Sequence, residues 1–329
     1  MQNQYSVHTY KLLSPSFIKA YFITMRPYLL FISGITGIAG LSFVSNLNLV
    51  NGIIIFSASF LSYGFGQALT DCFQIDTDSI SSPYRPLTQG IVSRIEFLII
   101  SATGLTYCIT VFSIFYPPSL ILGITAGVGL ATYTIFKKKW WAGPLYNSWI
   151  VALLFLMAYL SGVKGMSIDF SSKFIFTIAA VFFAYSNFVL VGYFKDIEAD
   201  RATGYNTLPV VYGKKWASFV SDIFGISAVV FTVLAIFDSY NNFLSLLPLI
   251  PSLFFLLLGT FKVLSTQLLL RDIKKDSEAH IAVVPSVKSY ILLLSAIIAS
   301  QKPEWILHLF IFYFCFLIVL KFRPSKNQI

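Results

Sequence analysis

Apolar stretches long enough to cross a lipid bilayer recur from one end of this 329-residue chain to the other. A transmembrane α-helix needs about 20 consecutive apolar residues. Charged residues make up only 11% of the chain, against about 25% in a soluble domain. We therefore predict an all-α, polytopic membrane protein with ten spans, at residues 28–47, 50–70, 95–115, 118–136, 144–163, 173–194, 216–237, 242–264, 281–299 and 303–321.

Basic residues fall almost entirely on one side of this predicted topology. The opposite side carries only Lys164, Lys173 and Lys302. The positive-inside rule therefore places both termini and the longest connections on the cytoplasmic side. The bacterial inner membrane is the expected location, although an organelle membrane would give the same pattern. The formal net charge of +9 then reflects the membrane topology, since the basic residues lie on the side where anionic lipid headgroups attract them. Nucleic-acid binding is disfavoured because the sequence contains no soluble basic domain.

The carboxylates of this acid-poor chain are concentrated at two points. Six of its fourteen acidic residues lie within residues 71–78 and 196–200. Each stretch follows the cytoplasmic end of a predicted span, where the negative end of the helix macrodipole disfavours anions. A divalent cation would resolve this conflict, and Mg²⁺ combines readily with carboxylates and substrate phosphates. The pattern predicts one Mg²⁺ at each cluster, with a diphosphate between them.

Basic residues close to both clusters suit phosphate oxygens. Arg85 and Arg201 offer bidentate forks, and Lys195 offers a point charge. The alternative is that the acids are solvated loop charges that balance nearby Lys and Arg, but the parallel placement of the two clusters favours a cation site. Two polar residues within spans, Asn147 and Asn187, either form hydrogen bonds between helices or face a pocket.

Both clusters resemble the two aspartate motifs of the UbiA-type intramembrane prenyltransferases. Residues 71–90, with the sequence PYRPL at 83–87, are similar to the first motif, particularly to the chlorophyll synthase and geranylgeranylglyceryl phosphate synthase branches. Residues 195–213, with KDIEADR and TLPV, are similar to the second. The resemblance covers roughly residues 20–300. Further matching residues are Arg26, Pro27, Tyr133, Lys137 and Gly143.

The resemblance implies a ring of nine helices around a central cavity that opens laterally to lipid, with the two motifs facing each other under a cytoplasmic cap. The tenth span is then a C-terminal addition, or one of the last predicted spans is wrong. Three segments follow from this view. They are an N-terminal cytoplasmic segment with an interfacial helix at 1–27, a UbiA-like domain at 28–300, and an added transmembrane helix with a basic tail at 301–329.

The resemblance also implies a Mg²⁺-dependent transferase that acts on farnesyl or geranylgeranyl diphosphate within the membrane. The C1–O bond of the diphosphate would break, and an acceptor that the sequence does not identify would capture the allylic cation. The residues implied in catalysis and in Mg²⁺ binding are Asp71, Asp78, Asp196 and Asp200. Those implied in substrate binding are Arg85, Lys195, Arg201, Gln74, Lys137, Asn147 and Tyr133.

Two positions depart from the first motif of the family. Thr70 replaces its opening Asn, and Gln74 replaces an Asp, so this cluster loses a formal metal ligand. In the second motif, Gly192 and Tyr193 replace the Asn and Asp of many members. Two alternatives therefore stay open. A terpene cyclase on the same scaffold would let the substrate's own double bond capture the cation. A non-catalytic lipid-binding or transport protein would keep the fold, although the second motif is well preserved.

Overall fold

The chain is helical throughout the part that the computed structural model describes, which comprises residues 9–166, 168, 170–238 and 249–323. Short 3-10 turns precede the second, twelfth and thirteenth α-helices. The helices are α1 Pro15–Thr24, α2 Leu30–Ser42, α3 Leu49–Asp71, α4 Ile75–Ser81, α5 Arg94–Phe115, α6 Ser119–Lys137, α7 Gly143–Val163, α8 Ser172–Tyr193, α9 Ile197–Ala202, α10 Leu208–Phe237, α11 Ile250–Asp272, α12 His280–Gln301 and α13 Ile306–Lys321.

The all-α prediction is confirmed. Within the described ranges, nine helices are long and apolar enough to cross a bilayer. They are α3, α5, α6, α7, α8, α10, α11, α12 and the helix at Pro303–Lys321 that contains α13. A tenth crossing is present if α1 and α2, which meet at a 45° bend, are counted as one broken span. The predicted number of ten spans agrees with this upper count.

Three predicted span boundaries were wrong. The first predicted span, 28–47, contains only the 13 residues of α2 as α-helix. The seventh begins at Leu208 rather than at 216, with Pro209 in the first turn, where its missing N–H is not needed; a break at Gly213, where φ is 80°, separates this short first segment from the long helix that follows. The eighth runs to Asp272 instead of 264, and the part of the predicted segment before residue 249 lies outside the described residues, as does the predicted basic tail beyond residue 323.

The spanning helices form a closed ring. From α2 through α3, α5, α6, α7, α8, α10 and α11 to α12, each packs on the next, and α12 returns to α2. At this closure the fully buried Tyr290 hydroxyl forms a hydrogen bond of 2.7 Å with Thr36 Oγ1. α13 packs outside the ring, against α12 and the turn at Pro27–Leu29. The ring leaves an interior into which the ends of α3 and α8 carry the two acidic motifs.

The short helices α4 and α9 hold the two motifs together above the ring. Tyr205 donates a hydrogen bond to Asp76 Oδ1 at 3.1 Å. The hydroxyls of Thr77 and Thr203 lie 3.2 Å apart. These contacts join segments that are about 130 residues apart in sequence, and they form the cap that the resemblance implied.

Candidate active site

A polar cavity of about 610 Å³ lies where α3, α4, α6 and the end of α8 converge. Its walls carry charged groups of both signs together with uncharged polar groups. The charged residues are Asp71, Asp78 and Asp196 on one hand and Arg26, Arg85, Lys137 and Lys195 on the other. This cavity therefore presents several cations to a bound anion and several carboxylate oxygens to a bound cation.

An apolar cavity of about 770 Å³ adjoins the polar one. It lies among α3, α5, α6 and α7, and most of its wall is aliphatic or aromatic. The two cavities share wall residues, namely Tyr63, Gln67, Thr70, Asn147 and Tyr185. A charged compartment that is continuous with an apolar one fits a molecule with an anionic head and a hydrocarbon tail.

The first motif is held in place by arginine. Asp71, the last residue of α3, accepts hydrogen bonds from Arg26 Nη2 at 3.1 Å to both carboxylate oxygens, and from Gln67 Nε2 at 2.6 Å. Arg85 forms a short ion pair with Asp78 and lies 3.8 Å from Asp71. Burial lowers the pKa of Arg85, but the carboxylates of Asp78 and Asp71 outweigh it and hold that pKa above its ordinary value.

Arg26 reaches Asp71 through an unusual backbone conformation. Its φ of 52° lies in the left-handed region, which non-glycine residues rarely adopt. The conformation produces the bend between α1 and α2, immediately before Pro27. Backbone strain of this kind persists where surrounding contacts maintain it, and the bidentate contact with Asp71 is such a contact.

The second motif places Lys195 and Asp196 side by side. Lys195 Nζ lies 3.6 Å from Asp196 Oδ1. Burial lowers the pKa of Lys195 to about 8. For Asp196, burial raises the pKa, but Lys195, Lys137 and Arg85 outweigh it and hold the pKa below its usual range. Oδ1 of Asp196 is buried and accepts no hydrogen bond within the described part of the chain.

Lys137 connects the two motifs. Its Nζ donates a hydrogen bond to Gln74 Oε1 at 3.1 Å and lies 3.4 Å from Asp200 Oδ1. The rings of Tyr193 and Tyr205 flank the ammonium group, with centroids at 5.5 and 5.3 Å. Gln74, which departs from the family pattern, therefore still faces a cation.

Asp200 lies behind Lys137 and is not part of the cavity wall. Its side chain is fully buried, and Thr207 Oγ1 donates a hydrogen bond to Oδ2 at 3.2 Å. Burial raises its pKa to about 6, although Lys137 opposes this effect. Asp200 is thus placed to hold Lys137 rather than to contact a ligand directly.

The tyrosine pair between α6 and α8 completes this wall. The hydroxyls of Tyr133 and Tyr193 form a hydrogen bond of 2.8 Å. Gly143, the first residue of α7, permits this contact, because a Cβ there would lie 2.2 Å from the Tyr193 hydroxyl oxygen. Replacement of Gly143 would force Tyr193 away from the cavity.

Nine of the eleven predicted site residues line the polar cavity: Asp71, Gln74, Asp78, Arg85, Tyr133, Lys137, Asn147, Lys195 and Asp196. Two do not. Asp200 is behind the wall, and the side chain of Arg201 is exposed. Successive residues of a helix point about 100° apart, so α9 directs Asp200 inward and Arg201 outward. The structure therefore gives no support to Arg201 as a residue that contacts the substrate.

The predicted site lacked several aromatic and polar wall residues. Helical spacing was the signal that would have found them. Tyr63 precedes Asp71 by eight residues on α3, and Tyr185 precedes Tyr193 by the same interval on α8. Arg26 was recognised only as a match to the family, since its contact with Asp71 spans 45 positions of sequence.

The donor set of the cavity fits a hard cation such as Mg²⁺. Three carboxylates and the amide oxygen of Gln74 face it, and Mg²⁺ prefers oxygen ligands. Asp196 Oδ1 is buried and accepts no hydrogen bond among the described residues, although Lys195 Nζ lies 3.6 Å away; buried polar atoms normally have partners, so this oxygen is available to a cation that would share it with that ammonium. No three His, Cys, Asp or Glu side chains converge into a complete metal centre among the described residues, so substrate oxygens are needed to complete the coordination.

Comparison with known proteins identifies the family. The family model of the UbiA prenyltransferase family matches residues 30–268. Digeranylgeranylglyceryl phosphate synthase from Natronomonas pharaonis is 30% identical over 212 residues, which cover 63% of this chain and 74% of the relative. The enzyme of the same name from Thermococcus kodakarensis is 25% identical over 289 residues, with 86% and 98% covered.

Solved structures share the fold. A UbiA homolog from Aeropyrum pernix superimposes with a TM-score of 0.67 at 17% identity and covers 82% of this chain and 96% of its own. A UbiA homolog from Archaeoglobus fulgidus bound to GPP and Mg²⁺ gives a TM-score of 0.63 at 17% identity, with 86% and 99% covered. This chain is therefore an integral, multi-pass membrane protein that belongs to the UbiA prenyltransferase family.

Proposed function

We propose that this protein is a Mg²⁺-dependent intramembrane prenyltransferase that moves the prenyl group of a prenyl diphosphate to a membrane-borne acceptor. The observation that carries the proposal is the continuity of the two cavities. The charged cavity suits the diphosphate, and the apolar cavity suits the prenyl chain, with Tyr63 and Tyr185 at the boundary between them. Family membership supports the same assignment.

Asp71, Asp78 and Asp196 are the residues that would hold Mg²⁺ in this cavity. When bound, Mg²⁺ neutralises phosphate charge and so stabilises the diphosphate as a leaving group. Arg26 and Arg85 neutralise phosphate oxygens from the side of the first motif. We assign Asp200 the task of orienting Lys137, in place of the metal-ligand role expected for it.

The reaction begins when the C1–O bond breaks and the diphosphate leaves with the electron pair. Lys137 and Lys195 lie in the wall where that negative charge develops, and fixed cations in a water-poor site are effective at this task. Tyr63 and Tyr185 line both cavities, and cation–π attraction to rings at this boundary would favour an allylic cation formed there. A nucleophilic oxygen of the acceptor then forms the new C–O bond, and its proton passes to an oxygen of the released diphosphate.

The acceptor class that we infer is a glycerol phosphate lipid, and the donor is geranylgeranyl diphosphate. The support is the similarity to the relatives from Natronomonas pharaonis and Thermococcus kodakarensis, both named digeranylgeranylglyceryl phosphate synthase. Both relatives are archaeal, so nothing in the comparisons supports the expected bacterial origin. The positive-inside pattern remains the support for cytoplasmic termini and a cavity that faces the cytoplasm.

We also propose that residues 28–300 form the prenyltransferase domain and that α13 is an addition to it. The support is the closure of the ring by α12. In the most apolar 18-residue stretch of α12, 83% of the residues are buried within the protein, whereas in the helix that contains α13 only 11% are buried. The solved homologs are covered almost completely by 82–86% of this chain, which leaves room for an added helix.

The proposal is tested with the purified protein in nanodiscs, with Mg²⁺ and geranylgeranyl diphosphate. Diphosphate release is followed with and without geranylgeranylglyceryl phosphate, and products are extracted for mass spectrometry. We expect release that depends on the acceptor. Asp196→Asn should reduce turnover at least about a hundredfold, because it removes a charge-assisted contact in a buried site. The control Asp222→Asn removes an acid that pairs with the exposed Arg271 away from the cavity, and it should retain turnover.

Two outcomes would contradict the proposal. A cyclic product formed without acceptor would make the protein a terpene cyclase. Absence of release under every condition, from protein that remains folded, would favour the non-catalytic alternative. Normal turnover by Asp196→Asn would remove Asp196 from the site.

A further inference from the structure

A second group of cations lies outside the polar cavity, where the end of α13 meets the start of α2. Tyr28 is only 3% exposed, and its hydroxyl has no hydrogen-bond partner within the described ranges. Arg323, which follows α13, has an Nη1 atom that is equally buried and also without a partner there. Arg26, Arg323 and Arg85, all of them positive, lie within electrostatic range of the Tyr28 hydroxyl, as does the phenol of Tyr84.

The same imbalance extends to α12. The charged neighbours that act on Lys288 are Lys262 of α11 and Arg323. In the part of the chain that the structure describes, none of these three cations forms an ion pair. Burial of cations and donors without acceptors is costly, so this region is one where an anion from outside the chain would be stabilising.

An apolar groove approaches this cation group along α13. It has a volume of about 850 Å³ and lies between α13, α2 and α3. Its wall is aromatic and aliphatic, and the rings of Phe31 and Phe312 meet within it at a centroid distance of 5.0 Å. Phe31 of the groove wall follows Tyr28 by three residues, so the groove and the cation group lie at the same end of α2. An anionic group linked to a hydrocarbon chain matches both features.

We propose that α13, α12 and the start of α2 form a binding site for an anionic phospholipid of the surrounding bilayer. Its phosphate accepts hydrogen bonds from the Tyr28 hydroxyl and Arg323 Nη1, and Lys288 adds positive charge. One acyl chain lies in the groove between Phe31 and Phe312. Basic sites between transmembrane helices on the cytoplasmic side are known to suit anionic headgroups.

The site is distinct from the reaction cavity. Arg26 and Arg85, which also act on Tyr28, are already engaged by Asp71 and Asp78, whereas Arg323 is not engaged by any acid of the described chain. Neither Tyr28 nor Arg323 lines the polar cavity. Lys288 and Arg323 also lie beyond residue 268, where the match to the family model ends, so the site belongs to this chain and does not depend on the proposed transferase function.

Native mass spectrometry in mild detergent tests the proposal. The full-length protein is titrated with dioleoyl phosphatidylglycerol and, separately, with dioleoyl phosphatidylcholine. We expect one phosphatidylglycerol to bind about tenfold more tightly than phosphatidylcholine, because the ammonium of the latter opposes the cations. Tyr28→Phe and Arg323→Gln should each reduce this preference about tenfold, the typical effect of losing one hydrogen bond to a charged group.

Lys19→Gln is the matched control, since Lys19 is an exposed cation on the same side of the protein, and it should keep the preference. Tyr28→Phe removes a single oxygen atom, and its melting temperature should stay close to that of the wild type, which separates loss of binding from loss of folding. Equal binding of the two lipids would overturn the proposal, as would unchanged preference in both variants. Displacement of the lipid by equimolar inorganic phosphate would overturn it too, because the site would then take free phosphate.

Discussion

Gln74 shows how a neutral side chain can occupy a place in a charged cavity. Its Oε1 accepts a hydrogen bond from Lys137 Nζ at 3.1 Å, so the oxygen faces a cation as a carboxylate oxygen would. Only the negative charge is missing. The two acids of the first motif that line the cavity, Asp71 and Asp78, are both bound by arginine, and its third acid, Asp76, is exposed and accepts a hydrogen bond from Tyr205. This motif therefore carries less uncompensated negative charge than one with a carboxylate at position 74 would.

Lys137 and Asp200 are expected to act as one unit. Lys137→Met removes a cation from the cavity wall and should lower kcat/KM for the prenyl diphosphate about a hundredfold. Asp200→Asn keeps that cation but loosens its position, so the loss should be nearer tenfold. Because Asp200 acts through Lys137, the double variant should be no worse than Lys137→Met alone. Steady-state kinetics of diphosphate release by the wild type, the two single variants and the double variant completes this double-mutant cycle.

Losses that multiply in the double variant would contradict this arrangement, since they would show that Asp200 contacts the substrate or the metal by itself. Asp222→Asn serves again as the control for a change of Asp to Asn elsewhere. The relative kcat/KM of the two single variants is a second check. If Asp200 were a direct metal ligand, Asp200→Asn should lower kcat/KM more than Lys137→Met does.

At the scale of elements, α8 joins the reaction cavity to the rest of the ring. One face carries Tyr185 and Tyr193 to the cavity. On another face, Asn187 Oδ1 accepts hydrogen bonds from Ser221 Oγ of α10 at 2.6 Å and from Gln267 Nε2 of α11 at 3.2 Å. Of the two roles open to Asn187 from the sequence, the structure shows contact between helices. For Asn147 it shows a place in the walls of both cavities.

Asn187→Ala should destabilise the protein by about 1 kcal/mol, because it leaves Ser221 and Gln267 with fewer partners in an apolar interior. The melting temperature in detergent should fall measurably. Asn206→Ala is the control, since that side chain is exposed, and it should melt with the wild type. An unchanged melting temperature for Asn187→Ala would show that the three-helix contact contributes nothing to stability.

The long helices were predictable because a bilayer imposes their length and composition. α5, predicted at 95–115, occupies Arg94–Phe115, and α3, predicted at 50–70, ends at Asp71. The short helices α4 and α9 were not predicted, since tertiary contacts such as Tyr205 with Asp76 accompany them and no hydropathy signal marks them. The bend at Arg26 was missed for the same reason, because its ion pair with Asp71 is distant in sequence.

Within the site, charge clusters were predictable and geometry was not. The two acidic motifs, the polar residues within spans and the family resemblance together brought forward nine residues that line the cavity. The sequence could not show that Lys137 lies between Asp200 and the cavity, because the positions of these two side chains relative to the cavity depend on how α6 packs near α9. For Tyr63 and Tyr185, helical spacing to Asp71 and Tyr193 was the available signal, but the aromatic side chains alone gave none, since an aromatic residue in an apolar helix has the same sequence environment whether it faces lipid or a cavity.

At the scale of the whole molecule, two different environments meet at α2. Its inner side contributes Ser33 to the apolar cavity of the ring, and its outer side contributes Phe31 and Ile38 to the groove under α13. The start of α2 also follows Arg26, which binds the first motif. A lipid bound in the outer groove is therefore separated from the reaction cavity by one helix.

Removal of residues 303–329 tests whether the ring is complete without α13. Because α12 closes the ring against α2 through contacts such as Thr36 with Tyr290, the shortened protein should remain monodisperse on size-exclusion chromatography and retain acceptor-dependent diphosphate release. Because Arg323 and the outer wall of the groove are lost, it should bind phosphatidylglycerol and phosphatidylcholine equally. A shortened protein that aggregates would make α13 part of the core, whereas one that folds and still prefers phosphatidylglycerol would place the lipid elsewhere on the ring.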